Sequence, residues 1–125
     1  LLTGTYRNTI NNNHIWQCEQ EGIYIHNTDY CNCEGNIISN NSHGDVNGHA
    51  GIYLAGGSTH NIILGNQSFD DKGVHTQSYG IRESGVADNY NILTNNVCTD
   101  NITAEVSSQG PNSIEDNNFR SFKFS

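Results

Sequence analysis

The stretch that decides the fold of this chain is the hexad Asn61-Ile62-Ile63-Leu64-Gly65-Asn66. It begins and ends with asparagine and carries an aliphatic residue at its third position. Four other hexads share this pattern, and they begin at Asn8, Asn36, Asn91 and Asn112. The starts are unevenly spaced, but each step falls within the range of roughly 20 to 50 residues that is the signature of a repeat architecture.

A second motif lies between the hexads, at Gly22-Ile23-Tyr24-Ile25, Gly51-Ile52-Tyr53-Leu54 and Gly80-Ile81-Arg82-Glu83, with a degraded copy at Ala104-Glu105-Val106. Each repeat therefore holds two short strands separated by turns rich in Gly, Asn, Asp and Ser. Such strands cannot bury themselves alone, but stacking coil upon coil buries them. Helical periodicity is absent. The sequence predicts an all-β parallel solenoid of about five coils, with parallel strands ~4.8 Å apart.

Stacking places equivalent residues in columns along the axis. We expect one aliphatic column of Ile10, Ile38, Ile63, Leu93 and Ile114. We expect a second column of Ile23, Ile52, Ile81 and Val106. A third column holds the closing asparagines Asn13, Asn41, Asn66, Asn96 and Asn117. Asparagine suits a sharp turn because it tolerates left-handed backbone, and its amide both donates and accepts hydrogen bonds.

Composition excludes several classes of partner. The 125 residues carry 13 acids against five Lys and Arg, which gives a net charge of −8. Nucleic-acid binding is dominated by phosphate neutralisation, so this small number of cations argues against that partner. No run approaches the ~18 apolar residues of a membrane span, so no membrane insertion is expected. The 20 asparagines and 13 glycines are typical of turns rather than of helices.

The hexads and the Gly-Ile-Tyr strands resemble the right-handed parallel β-helix repeat of pectate-lyase-like proteins. Residues 70–81 look like a loop that recurs in bacterial, archaeal and phage β-helix proteins. That family hosts polysaccharide lyases, hydrolases, uronan epimerases, phage tail spikes and cell-surface proteins, so the resemblance restricts function only loosely. We expect residues 1–125 to form a single segment of a longer β-helix, or a unit that stacks end to end. The alternating Phe119, Phe122 and Phe124 are expected to close the last coil.

A column of acids is the first candidate site. Asp45, Asp70 and Asp100 each follow the closing asparagine of their hexad by the same number of positions. Equal register predicts that they lie in adjacent coils, where repulsion between carboxylates favours a bound cation. Ca²⁺ prefers such oxygen ligands, and the resemblance implies that Ca²⁺ would bridge acidic side chains to a uronate substrate. The alternative is that aspartate simply suits a turn after a strand.

A long loop is the second candidate site. The segment from Asn61 to Gly80 is longer than its counterparts in the other repeats, and extra loop length in a solenoid usually maps to the functional face. Asp70, Lys72 and Arg82 are the candidate catalytic residues, since the resemblance implies that Lys or Arg can serve as the base of a lyase. A hydrolase would instead need a carboxylate pair, here Asp70 or Asp71 with Glu83. The alternative is a solvated structural loop.

Glu83 occupies the register of Ile25 and Leu54, which points inward. A buried carboxylate must be paired or protonated. We expect the strand to shift so that Glu83 faces outward; the alternative is pairing with His75 or Arg82.

Tyr24 and Tyr53 lie on the outward face one coil apart, with Arg82 next in line. Aromatic rings in a row beside a guanidinium form a candidate carbohydrate-binding surface. The alternative is an ordinary cross-strand tyrosine pair with a cation–π contact.

Histidine and cysteine give weaker signals. His43 and His49 with Asp45 form the one local cluster of potential metal ligands, without zinc spacing. Cys98 marks an interior position, and Cys18 has Cys31 or Cys33 as a possible disulfide partner, which leaves the oxidation state open.

These observations favour a non-catalytic β-helix module that is extracellular, on the cell surface or on a virion. Its expected partners are a polysaccharide or copies of itself. The alternative is a fragment of a polysaccharide lyase or hydrolase that acts on an acidic glycan with Ca²⁺. A subunit of a filament is a third hypothesis.

Overall fold

The computed structural model describes residues 1–120, which form five coils of three short strands each. Coil 1 contains β1 (Leu2–Thr3), β2 (Thr9–Asn11) and β3 (His14–Trp16). Coil 2 contains β4 (Ile23–His26), β5 (Asn32–Glu34) and β6 (Ile37–Ser39). Coil 3 contains β7 (Ile52–Ala55), β8 (Ile62–Leu64) and β9 (Gln67–Phe69). Coil 4 contains β10 (Tyr79–Glu83), β11 (Ile92–Thr94) and β12 (Val97–Thr99), and coil 5 contains β13 (Ala104–Ser107), β14 (Ile114–Asp116) and β15 (Phe119–Arg120).

Equivalent strands pair in parallel and form three five-stranded sheets. Sheet 1 contains the first strand of every coil, sheet 2 the second and sheet 3 the third. We call the turn from sheet 1 to sheet 2 corner 1, the turn from sheet 2 to sheet 3 corner 2, and the connection to the next coil corner 3. The predicted all-β solenoid of about five coils is confirmed. No helix of residues 1–120 is long and apolar enough to cross a membrane.

The aliphatic column of sheet 1 is formed as predicted. Ile23 pairs with Ile52, Ile52 with Ile81, and Ile81 with Val106. All four side chains are buried. The glycines that precede the isoleucines have a packing reason, because a Cβ on Gly51 would lie 3.0 Å from the carbonyl oxygen of Gly80. A side chain there would separate the coils.

The other aliphatic column was predicted in the wrong register. Ile63 pairs with Leu93 as expected, but its neighbour in the coil below is Cys33. Ile38 lies one strand later, in sheet 3, where it pairs with Ile15 and Ser68. The hexad Asn36–Asn41 is therefore not equivalent to Asn61–Asn66, although the two share a pattern. At the other end of the column, Glu115 rather than Ile114 takes the position next to Leu93.

An asparagine ladder runs through corner 2 in all five coils, and its members are Asn13, Asn36, Asn66, Asn96 and Asn118. Each amide donates to the amide oxygen of the next member at 2.9–3.1 Å. Three members match the prediction, whereas Asn36 and Asn118 stand where Asn41 and Asn117 were expected. The residue before each member has a positive φ between 52° and 68°, and these residues are Asn12, Gly35, Gly65, Asn95 and Asn117. The ladder thus satisfies the polar groups of a one-residue left-handed turn.

The four cysteines of the chain are free thiols. Cys33 and Cys98 are fully buried among the aliphatic residues of the interior. Burial raises the pKa of Cys33 and of Cys98 to about 12, and that of Cys31 to about 11. The interior thiols therefore stay protonated at neutral pH and pack as small apolar groups.

Two charged side chains cover the interior at coil 5. Glu115 stands above Leu93, and Arg120 pairs with Cys98 in register. The guanidinium of Arg120 contacts the Glu115 carboxylate at 2.7 Å and also donates to the carbonyl oxygen of Val106. Phe119 faces outward on β15 and is 43% exposed, and the predicted closing residues Phe122 and Phe124 lie outside the described residues.

Candidate functional site

Tyr24, Tyr53 and Arg82 form a column on the outer face of sheet 1, as the sequence predicted. Tyr24 pairs with Tyr53 and Tyr53 with Arg82 on adjacent strands. The two tyrosine rings stack with centroids 5.3 Å apart and an interplanar angle of 20°. The guanidinium carbon of Arg82 lies 5.7 Å from the centre of the Tyr53 ring. We call these residues, with Tyr79, the sheet 1 column.

Tyr79 is a member of this column that the sequence analysis missed. The Arg82 guanidinium carbon lies 4.8 Å from the Tyr79 ring centre, closer than its distance to Tyr53. Two rings therefore hold the guanidinium plane by cation–π contacts. Within residues 1–120, no oxygen atom forms a hydrogen bond or an ion pair with it. Arg82 thus presents unpaired N–H donors from a restrained position.

The tyrosines of the sheet 1 column offer their edges rather than their faces. Because the faces of Tyr24 and Tyr53 stack against each other, a sugar ring cannot insert between them without separating the strands. The hydroxyl groups remain available as donors and acceptors. Burial, followed by the neighbouring Tyr53, raises the pKa of Tyr24, so its hydroxyl stays protonated at neutral pH. The column therefore suits polar recognition by hydroxyls and one guanidinium.

Asp70, a predicted catalytic and metal-binding residue, is fully buried in corner 3. Its Oδ2 accepts hydrogen bonds from the backbone N–H of Thr76 at 2.7 Å and of Gln77 at 2.8 Å. Its Oδ1 accepts one from the backbone N–H of Lys72 at 3.2 Å. The carboxylate thus closes the loop that follows it, which is the structural alternative considered from the sequence.

The charged groups of the other predicted catalytic residues do not converge on Asp70. The Lys72 ammonium group donates to the Thr76 hydroxyl, and Arg82 points outward from sheet 1. In the described chain, no hydrogen bond or ion pair links the Lys72 ammonium group or the Arg82 guanidinium with the Asp70 carboxylate. Asp71 is exposed and accepts a hydrogen bond from the Asn40 amide at 2.9 Å. Lys72 and Asp71 therefore hold the corner 3 loop in place.

The predicted column of Asp45, Asp70 and Asp100 is only partly formed. Asp70 and Asp100 are in equal register, since the Asp70 N–H donates to the carbonyl of Thr99. The coil below supplies Asn40 at this position, because the Asn40 N–H donates to the carbonyl of Phe69. Asp45 lies further along the chain in an exposed loop, a consequence of the misplaced hexad at Asn36. Among residues 1–120, no three His, Cys, Asp or Glu side chains come together as metal ligands.

The smaller histidine cluster is a pair of contacts in the same loop. His49 Nδ1 lies 2.8 Å from the Glu21 carboxylate, and His49 Nε2 lies 3.8 Å from Asp45. His43 lies 4.0 Å from Glu19. These contacts attach the loop of coil 2 to coil 1.

Glu83 faces inward and is fully buried, so the expected outward shift of its strand was wrong. Neither His75 nor Arg82 is its partner. Its Oε2 accepts from the Asn91 amide and the Ser113 hydroxyl, at 2.9 and 2.7 Å. Its Oε1 accepts from the Ser108 hydroxyl at 2.6 Å and from the backbone N–H of Gln109 at 3.1 Å. Hydrogen bonds to a turn in the next coil compensate the loss of hydration.

A second outward column, at corner 1, was also missed from the sequence, and its members are Arg7, Tyr30, His60 and Tyr90. All four have a φ of 56–60°. His60 stacks between Tyr30 at 4.9 Å and Tyr90 at 5.2 Å. The signal that could have shown this corner 1 column is the equal spacing from Tyr30 to His60 and from His60 to Tyr90.

Hydrogen bonds orient the ring of His60. The Thr59 hydroxyl lies 2.8 Å from the Asp29 carboxylate and 3.0 Å from His60 Nδ1. A carboxylate only accepts, so the hydroxyl hydrogen goes to Asp29 and the hydroxyl oxygen accepts from the Nδ1–H of His60. In the neutral ring Nε2 is therefore a hydrogen-bond acceptor.

Comparison with known proteins identifies the family of the chain. No curated protein and no solved structure matches it. A family model for the right-handed β-helix region matches residues 1–82, more than half of the 125 residues. The match agrees with the three parallel sheets and their repeated corners. The chain belongs to the right-handed β-helix family.

Proposed function

We propose that this chain is a non-catalytic β-helix module that binds an acidic polysaccharide through the sheet 1 column, outside the cell or on a virion. The observation that carries the proposal is the Arg82 guanidinium. It lies over the rings of both Tyr53 and Tyr79 while its N–H groups remain unpaired within the described chain.

A planar guanidinium matches a carboxylate or sulfate group through two parallel hydrogen bonds. Contact with the two rings reduces the conformational entropy that Arg82 would lose on binding. The tyrosine hydroxyls beside it supply donors and acceptors for sugar hydroxyl groups. Because the chain carries a net charge of −8 and Glu21 and Asp88 act on Tyr24 itself, binding of a polyanion depends on the charge of Arg82.

The carboxylates support a non-catalytic function. A glycosidase needs two carboxyl groups that reach the substrate. Asp70 and Glu83 are each fully buried, and each accepts at least three hydrogen bonds from the protein. Displacing these bonds to reach a substrate would open corner 3 or the corner 1 turn of coil 5.

The proposal is tested by titrating the chain with oligogalacturonate and with a neutral oligosaccharide of equal length, using isothermal calorimetry. We expect binding of the acidic ligand only, weakened by added salt. Arg82→Gln removes a charge-assisted contact and should weaken binding about tenfold or more. Arg7→Gln is the matched control, because Arg7 also lies over a tyrosine, Tyr6 at 5.6 Å, but in corner 1.

Equal binding of the neutral ligand, or unchanged affinity in Arg82→Gln, would overturn the proposal. Incubation of the same acidic ligand with and without Ca²⁺, followed by ultraviolet absorbance of an unsaturated product, tests the lyase hypothesis directly. Product formation that Arg82→Gln abolishes would replace the binding module with an enzyme.

A further inference from the structure

The outer face of sheet 2 and the corner 1 column together form an apolar strip along the axis. The strip consists of Tyr30, His60, Tyr90, Ile62, Ile92 and Ile114. Ile62, Ile92 and Ile114 pair in successive coils, two positions after the ring column. Tyr30, Tyr90 and Ile114 are each more than half exposed. A contiguous exposed apolar surface of this kind marks an interaction site.

Charge restricts what can cover the strip. The chain carries a net charge of −8, so two copies repel each other over most of their surface. The strip contains three isoleucines, two tyrosines and His60, and none of these residues is an acid. The strip is therefore a face on which two copies can approach with little repulsion.

Exposed charges of both signs flank the strip: Arg7, Asp116 and Glu34, which lies in coil 2 in the same outward column as Asp116. Arg7 continues the ring column below Tyr30, in coil 1, and its side chain is exposed. Asp116 lies two positions after Ile114, on the same face of β14 in coil 5, and is also exposed. The two charges thus lie at diagonally opposite ends of the strip, with Ile62 of coil 3 between them.

We propose that the strip is a homodimer interface with a two-fold axis near Ile62. A two-fold contact is isologous, so the pairing of Arg7 in one copy with Asp116 in the other occurs twice. The strip also contains its own acceptor, His60 Nε2, and its own donors, the hydroxyls of Tyr30 and Tyr90. A surface with both charges, and with both donors and acceptors, can pair with itself, whereas Glu34 on the same face opposes the approach of a second copy and weakens that pairing. This association does not depend on glycan binding by the sheet 1 column.

The area of the strip sets the expected affinity of the dimer. From Arg7 to Asp116 the surface spans five coils at ~4.8 Å and five residues at ~3.3 Å, a projected area of about 400 Å². Stable interfaces bury about 800 Å² on each partner, so the dimer should be weak, with a dissociation constant above about 10 µM. The monomer dominates in dilute solution and the dimer at high concentration.

Sedimentation equilibrium from about 5 to 500 µM tests the proposal in this affinity range. We expect the average mass to rise from that of a monomer toward that of a dimer. Ile62→Glu puts a charge at the centre of the strip and should abolish the rise. Val97→Glu is the matched control, because Val97 lies on the outer face of sheet 3 with 41% exposure, against 39% for Ile62.

Charge reversal tests the two-fold arrangement. Arg7→Glu or Asp116→Arg alone should weaken association, and the double variant should restore it to within about threefold of the wild type, since both pairs are then reversed. Far-ultraviolet circular dichroism confirms that each variant keeps its β structure. A wild-type chain that stays monomeric at the highest concentration, or a Val97→Glu variant that loses association as Ile62→Glu does, would overturn the proposal.

Discussion

Corner 2 and corner 3 solve the same turning problem in different ways. In corner 2 every coil turns through one left-handed residue, and one asparagine per coil closes the turn. In corner 3 the connection from sheet 3 to the next coil varies in length from coil to coil. Its ladder runs from Asn41 to Asn101 through Gln77, whose amide accepts from Asn41 at 3.0 Å and donates to Asn101 at 2.7 Å.

The difference shows how buried polar side chains stabilise a regular corner and an irregular one. Corner 2 uses one buried residue type at one position, so its hydrogen bonds repeat without insertions. Corner 3 accommodates a loop in coil 3 by replacing an asparagine with the longer Gln77 and by using Asp70 to bind the loop backbone. Buried amide and carboxylate groups with several hydrogen bonds each therefore hold both corners, but only corner 2 is periodic, and corner 3 leaves the buried Ser78 hydroxyl without a partner.

The largest effect is expected for Asn66→Ala in corner 2. The Asn66 amide donates to the Cys33 carbonyl and to Asn96, and it accepts from the backbone and side chain of Asn36. Its removal takes these partners from the Asn36 N–H groups and the Cys33 carbonyl in coil 2, while Asn96 keeps only its bond from the backbone N–H of residue 66, and should lower the free energy of unfolding by about 4 kcal/mol. Urea denaturation measures this value. Gln67→Ala, at the exposed next residue, is the control and should cost less than about 0.5 kcal/mol. A cost for Asn66→Ala as small as that of the control would contradict the ladder.

A smaller effect is expected for Asp70→Asn in corner 3. The new amide nitrogen cannot accept the hydrogen bonds from Thr76 and Gln77, so we expect a loss of about 2 kcal/mol. Amide hydrogen exchange should accelerate in residues 71–77 and remain unchanged in corner 2. Asp71→Asn is the control, because Asp71 is exposed and the side-chain oxygen of an asparagine can still accept the hydrogen bond from Asn40. Uniform acceleration throughout the chain would show that corner 3 does not open independently.

Alkaline pH tests how tightly the strands around corner 2 exclude water. The pKa of Cys33 is raised from 9.0 to about 12, so above pH 9 the unfolded chain loses a proton that the folded chain retains. The stabilisation is therefore complete below pH 9 and is lost as the pH rises toward 12. Between pH 8 and pH 10 this thiol should reduce stability by about 1.4 kcal/mol. Cys33→Val should remove that part of the pH dependence. An unchanged pH dependence in this variant would mean that the thiol is not desolvated.

The smallest effect is expected for Gly65→Asn in corner 2. Gly65 has a φ of 65°, and an added Cβ would meet no atom within 4 Å. Asn12 and Asn95 occupy the same left-handed position in other coils, so the change should alter stability by less than about 0.5 kcal/mol. Gly65→Val should cost about 2 kcal/mol, because a β-branched residue disfavours this backbone. Thermal unfolding of both variants separates backbone strain from packing. Equal melting temperatures for the two would show that the turn is not restricted to left-handed geometry.

The sequence predicted the features that repeat at both strand and turn. Ile23, Ile52 and Ile81 are equally spaced, each beside a glycine, and their column is correct. The hexad Asn36–Asn41 was misplaced because its two asparagines lie on either side of β6. Asn36 closes corner 2 before that strand, and Asn41 joins the corner 3 ladder after it. The same letters therefore fit two registers one strand apart.

The contacts of several candidate residues could not be predicted, because their partners lie outside the positions that the repeated motifs define. Tyr24, Tyr53 and Arg82 were found because they share a register within a repeated motif. Glu83 was expected outside, since Ser108 and Gln109 belong to no motif and Ser113 stands at a variable position of its hexad. The corner 1 column was missed because its members share a backbone conformation rather than a residue type.

The ladder bonds from Asn36 to Asn66, from Asn66 to Asn96 and from Asn61 to Asn91 all span the same length of chain. A deletion between equivalent points of two adjacent coils therefore removes one complete coil and leaves matching asparagines in contact. Duplication of one such coil would lengthen the solenoid without altering the other coils. Such a chain can change its height by whole units during evolution, and an engineer can use the same rule to set the distance between two attached domains.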